Sequence, residues 1–131
     1  MYGNNQEGYD AFYESDMAAQ VAAATPHQLV LMLFTGLSDE LVRAKSHIQA
    51  SRYERKANSI NKCIDILNAL TSALDYDKGG ELARNMANIY DYCVHRLYEA
   101  SNNLSVEMVE EVEILLGELR TGWEGMGKLN G

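Results

Sequence analysis

The chain has 131 residues, room for one domain and little more, and 47% of them are hydrophobic, which excludes an intrinsically disordered polymer. Eleven basic against nineteen acidic residues leave a net charge of -8, a field that repels phosphate backbones and anionic lipid, so nucleic acid and membrane surface are poor partners. The longest apolar run, Leu29 to Phe34, is six residues, too short for membrane insertion, and the two cysteines, Cys63 and Cys93, make neither a disulfide framework nor a metal site.

Residues 1–16 hold four acids, no base and four aromatics, Tyr2, Tyr9, Phe12 and Tyr13. No basic n-region precedes an apolar stretch, so no secretory signal is read and the cytoplasm is the expected compartment. The alanine-rich stretch from Met17 to Ala24 is helix-prone. This front end reads as a mobile N-terminal segment with aromatic hooks, able to lie on the domain and lift off. A permanently docked arm or simple disorder is the alternative.

Thr25-Pro26-His27-Gln28 predicts a helix start: a capping threonine, a proline with φ already set, and a glutamine able to reach back. The helix beyond is apolar over more than half its circumference, and Gly36 within it suggests a close helix approach. Ser51-Arg52-Tyr53-Glu54 looks like a second capping box, followed by an inward stripe of Tyr53, Ala57, Ile60, Ile64, Leu67, Thr71 and Leu74. Asp75 to Gly80 reads as a stop and turn. A third helix aligns Leu82, Met86, Ile89, Cys93, Leu97 and Ala100, and Asn102-Asn103 breaks it. Ser105 would cap a fourth, with Val109, Val112, Leu116, Leu119 and Trp123 inward and Gly122, Gly125 and Gly127 fraying its end.

Four such helices joined by short polar breaks imply an all-α fold, an antiparallel up-down-up-down four-helix bundle. The expected organisation is a cap segment at 1–24, the bundle at 25–125 and a tail at 126–131. Six bases and one acid lie between Arg43 and Lys62, and six acids and one base between Glu107 and Glu124. Either the two faces attract each other across the bundle or one docks a charged partner.

No phosphate loop, Cys-x-x-Cys, His-Glu-x-x-His or Gly-x-Ser-x-Gly occurs, so the chain is not expected to be an enzyme, and no metal or cofactor is expected. None of His27, His47 and His95 has Glu three positions before it, as a dimetal bundle requires. His47 as a phosphoacceptor of a histidine phosphotransfer-like signalling bundle is a rival reading, although Ser51 stands where such modules place glycine.

The second helix carries Ile66, Leu70 and Ala73 beside its main stripe, widening its apolar arc to about 200°, where a surface helix needs little more than 100°. Tyr92 and Tyr98 flank the stripe of the third helix on opposite edges. These residues either pad the core or form a groove for an amphipathic partner segment, with methionines such as Met32, Met86 and Met108 adapting its shape. Self-association through the same faces, as a structural helical protein or a weak homodimer, is a further alternative.

In order and spacing, several motifs resemble one family, the FliS flagellin export chaperones. They are Ala24-Thr25-Pro26-His27-Gln28-Leu29 through Thr35-Gly36, Leu74-Asp75 with Lys78-Gly79-Gly80-Glu81-Leu82-Ala83, Ile89-Tyr90-Asp91-Tyr92 with Arg96-Leu97, and Glu110-Glu111-Val112 through Trp123-Glu124. The resemblance covers nearly the whole chain, with Thr35 standing where the family usually has Asp. It implies a cytosolic chaperone that holds the disordered C-terminal segment of flagellin, prevents premature polymerisation and hands the pair to the export gate. It further implies an N-terminal cover over part of the groove, carried here onto Tyr2, Phe12 and Tyr13.

Overall fold

The computed structural model describes residues 17–130, with side chains up to residue 125. Among the described residues every regular element is an α-helix: α1 at 17–23, α2 Pro26–Gln49, α3 Tyr53–Ser72, α4 Tyr76–Asn103 and α5 Val106–Asn130. None is long and apolar enough to cross a membrane.

The start of α2 is the one predicted from sequence. Gln28 donates its N–H to Thr25 Oγ1 at 3.1 Å, and Thr25 returns its own N–H to Gln28 Oε1 at 2.9 Å, with Pro26 filling the position that needs no donor. Val30, Phe34, Leu37, Leu41, Ala44 and Ile48 then bury one stripe at helical spacing. A methyl group placed on Gly36 would meet Ile66 Cδ1 at an ordinary 3.9 Å, so no unusually close approach demands the glycine.

The expected capping box at Ser51 is not formed. Ser51 instead takes a left-handed φ of 57° and closes α2: its N–H reaches Ile48 O at 3.2 Å, and the Arg52 N–H reaches His47 O at 2.9 Å. This is the Schellman arrangement, which uses Ser51 to end one helix and leaves it unable to cap the next. Arg52 becomes the N-cap of α3 without a side-chain bond. Tyr53, expected inward, is exposed, and the buried stripe of α3 is Ser59, Ile60, Cys63, Ile64, Leu67 and Leu70.

The turn before α4 is tighter than the sequence suggests. Asp75 Oδ1 accepts from the Lys78 N–H at 3.1 Å, so the helix already begins at Tyr76 and kinks at Gly80, where φ is 50° and ψ -122°. Met86, Cys93, Leu97 and Ala100 face inward as expected, while Ala83 and Tyr90 take the buried places of Leu82, which is exposed, and Ile89, which is half-buried. Ser105 Oγ accepts from the Met108 N–H at 3.2 Å and starts α5 as expected. The helix does not fray at Gly122 or Gly125 and continues to Asn130.

Each of the four long helices packs on two others, α2 on α3 and α5, and α4 on α3 and α5. One continuous core results, with both cysteine thiols free and fully buried. Burial pushes Cys63 up to about 12 and Cys93 up to about 11, so neither is a ready thiolate. Ties between remote positions hold the register: Lys56 Nζ donates to Ser101 O at 3.0 Å and Lys45 pairs with Glu113 at 2.7 Å. Of the six bases between Arg43 and Lys62, Lys45 is the one that meets the acidic face of α5 through an ion pair among the described residues.

Candidate binding groove

The first turns of α2 hold more apolar surface than the core consumes. Val30 and Phe34 point inward, whereas Leu29, Leu31, Met32 and Leu33 remain half-buried. Met17 and Val21, one turn apart on α1, are 39% and 45% exposed and present their side chains to the same space. Pro26, His27 and Gln28, Ala73 from the α3–α4 connection, Lys78 from the first turn of α4 and Trp123 from α5 complete the wall. The result is an open groove of about 1380 Å³, with a shallower depression of about 450 Å³ on Gln20, Ala23, Ala24, Leu31 and Met32 beside it. Met32 lines both.

Trp123 fixes the far wall. Its ring stacks on His27, with centroids 5.1 Å apart and planes within 9°, and its Nε1–H donates to His27 O at 3.1 Å. Arg120, one turn earlier, donates to Thr35 Oγ1 at 3.0 Å and pairs with Glu124 at 2.9 Å. The end of α5 is thereby pinned to the beginning of α2. The groove offers apolar contact, adaptable methionines and one cation.

The residues expected to form the site are not brought together. Ala73 lines the groove. Ile66 is half-buried and packs on the core. Leu70, expected on the groove, is 1% exposed and is a core residue. The reason is that α3 has a neighbour on each side, α2 and α4, and two contacts use up an arc that one contact would leave open. Tyr92 and Tyr98 are 46% and 50% exposed but lie away from the groove wall.

Tyr92 belongs to a polar network between α4 and α5. Its hydroxyl donates to Glu111 Oε1 at 2.5 Å, Arg96 Nε donates to Glu111 Oε2 at 2.7 Å, and Arg96 also pairs with Glu99 at 3.0 Å. The Tyr92 hydrogen bond, followed by that of Arg96, holds the Glu111 carboxyl below its ordinary range, and the same bond raises the Tyr92 phenol. His47 Nδ1 accepts from Arg52 Nε at 3.0 Å; desolvation first, then Arg52 and Arg55, lower its pKa. That ring helps close the α2–α3 turn. Tyr2, Phe12 and Tyr13 lie outside the described residues.

Met17, Val21, Leu29, Leu33 and Trp123 were not assigned to the site from sequence. For Leu29 and Leu33 the signal is the breadth of the apolar surface on the first turns of α2, which the sequence shows.

Comparison with known proteins matches residues 9–130 to the family described as flagellar protein FliS. The chain is 36% identical over 118 residues to the flagellar secretion chaperone FliS of Salmonella typhimurium, covering 89% of this chain and 87% of that protein. It is 35% identical to the flagellar secretion chaperone FliSB of Pseudomonas aeruginosa, over 88% of this chain and 91% of that one. It is likewise 35% identical to the flagellar secretion chaperone FliS of Escherichia coli, over 90% of this chain and 88% of that one.

Proposed function

The chain belongs to the flagellar protein FliS family, whose members are secretion chaperones and not enzymes, and from that membership we propose that it is a cytoplasmic export chaperone for flagellin. The chaperone holds the C-terminal segment of unassembled flagellin in apolar grooves, keeps it from polymerising, and delivers it to the flagellar type III export apparatus. The observation that supports this reading is the open apolar groove walled by α1, α2, α4 and α5.

An amphipathic segment laid into such a groove buries its apolar face as it folds. Ordering it costs several kcal/mol, so tight binding requires a wrapped area of order 1,000–3,000 Å². One groove end does not supply that area. The guest therefore runs on along the bundle, and the exposed Tyr92 and Tyr98, with Ala73 and the edge of Ile66, are candidate contacts on its path.

In this reading the long helices form an antiparallel up-down-up-down four-helix bundle at residues 25–125, and residues 126–131 are a tail. Residues 1–24 are a displaceable cover, with Tyr2, Phe12 and Tyr13 as its hooks. A cover lowers the apparent affinity in proportion to the covered fraction and shields the groove from aggregation.

Calorimetry tests the proposal. Full-length flagellin binds 1:1 with a large negative heat-capacity change, flagellin lacking its C-terminal segment does not bind, and Met32→Asp weakens binding without lowering thermal stability. Binding that survives removal of the segment overturns the reading. Light scattering on the free chain distinguishes it from self-association through the same faces.

A further inference from the structure

We infer that Lys78 selects the guest by charge: the groove accepts an amphipathic segment with an aspartate or glutamate side chain beside its apolar stripe. This rests on the proposed reading of the groove as the guest site and adds a determinant of which segments fit.

Lys78 is the one charged side chain among the described residues that line the groove. Like Arg52, Arg55, Lys56, Lys62 and Arg84, Lys78 has no ion pair among the described residues, and of these six it is the one whose side chain lines the groove. Asp77 and Glu81 are close in sequence but neither lines the groove nor pairs with Lys78. The position is fixed from below, because the Lys78 N–H donates to Asp75 Oδ1 at 3.1 Å and anchors the residue in the first turn of α4.

Two further features give the site its sign. The groove is bordered by the N-terminal turn of α2, which carries no acid and whose partial positive charge favours an anion, whereas that of α4 is already capped by the Asp75 carboxylate. Its walls are otherwise mainly apolar, so a guest that fills it excludes water and strengthens a carboxylate–ammonium contact relative to open surface. A guest bearing lysine or arginine at that place meets a like charge and is rejected. An uncharged guest keeps the apolar contacts but leaves the ammonium partly desolvated and unpaired.

The chain's one tryptophan, Trp123, lies in the groove wall and reports occupancy. The experiment titrates full-length chaperone with a tryptophan-free peptide of the flagellin C-terminal segment, amidated at its end, and follows Trp123 fluorescence at low and high salt. Lys78→Gln is expected to weaken binding roughly threefold to tenfold at low salt, and Lys78→Glu to weaken it further, with the difference shrinking as salt rises. One Asp→Asn or Glu→Gln change in the peptide reproduces the loss, and replacing that same residue by lysine restores binding to Lys78→Glu.

If Met32→Asp abolishes binding while Lys78→Glu leaves it unchanged, the charge selection is wrong and the groove reading stands. If neither variant affects binding, the groove reading itself falls. If the Lys78 effect appears only with a free peptide C-terminus, the partner is the terminal carboxylate and the side-chain assignment is overturned. If Lys78→Glu tightens peptide binding, the occupant selected by Lys78 is the chain's own acid-rich residues 1–16, and the inference fails.

Discussion

Trp123 lies flat against His27 across 96 positions of sequence, and its indole N–H donates to the His27 carbonyl at 3.1 Å. One side chain thus supplies the stacking surface, the hydrogen bond and part of the groove wall. Trp123→Phe keeps a stacking ring and loses the bond, which costs about 1 kcal/mol. Trp123→Ala also loses the packing, and the cost rises to about 3 kcal/mol. Urea unfolding followed by circular dichroism measures both, and equal losses for the two variants would mean that the ring contact contributes nothing.

Leu70 is expected to behave as a core residue. At 1% exposure, Leu70→Ala costs about 2–5 kcal/mol and Leu70→Asp leaves a charge without a partner in the core and unfolds the chain. Tyr98→Ala, at half exposure, is expected to change stability by less than about 1 kcal/mol. A folded Leu70→Asp protein that fails to bind flagellin would return Leu70 to the groove.

That contrast marks where sequence reading stops. The helices were legible because their signals are local: the Thr25–Gln28 box, the Ser105 cap and stripes such as Cys93, Leu97 and Ala100 each act within one or two turns. The width of the α3 arc containing Leu70 is legible in the sequence, but width alone does not say whether one neighbour or two will cover it. Ser51 failed for a related reason, since a serine between two helices can end the first or begin the second. The groove depends on how α1, the start of α2 and the end of α5 meet, and no short-range pattern encodes that meeting.

The Tyr92–Glu111 bond makes a pH prediction with two edges. Glu111 is held below its ordinary 4.5, so its contribution is present above that value and is lost as pH falls through the folded pKa. Tyr92 is raised above its ordinary 10.0, so its contribution is present below that value and is lost as pH rises through the folded pKa. The stability difference between the wild-type chain and Tyr92→Phe should therefore be level near neutrality and close at both extremes, below about pH 4 and above about pH 10. A difference independent of pH would assign the effect of Tyr92 to packing.

Two residues with positive φ should respond in opposite directions. Ser51 at φ 57° carries a side chain in a conformation that glycine adopts freely, so Ser51→Gly stabilises by about 1 kcal/mol. Gly80 at φ 50° and ψ -122° is where an L-residue is strained, so Gly80→Ala destabilises by about 1–3 kcal/mol although nothing crowds the new methyl group. Thermal melts of the pair check this, and the same sign for both would exclude backbone conformation as the cause.

Glu40 sits where the pattern of α2 calls for an apolar residue, 9% exposed and between the core residues Leu37 and Leu41. Its Oε1 accepts from Arg43 at 2.6 Å, but its Oε2 is buried without a hydrogen-bond partner among the described residues. A half-satisfied buried carboxylate loses hydration on folding and recovers only part of it from one ion pair. Arg43 depends less on the contact, because its side chain is 58% exposed and keeps its water when the partner is removed. Glu40→Leu should therefore raise stability by about 1–2 kcal/mol, while Glu40→Gln keeps a buried polar end and gains less. In a chain of this length that gain corresponds to about 3–8 °C in Tm, readable by calorimetry. A fall in Tm for Glu40→Leu would mean that Oε2 has a donor in solution and that the carboxylate contributes to the α2–α3 contact.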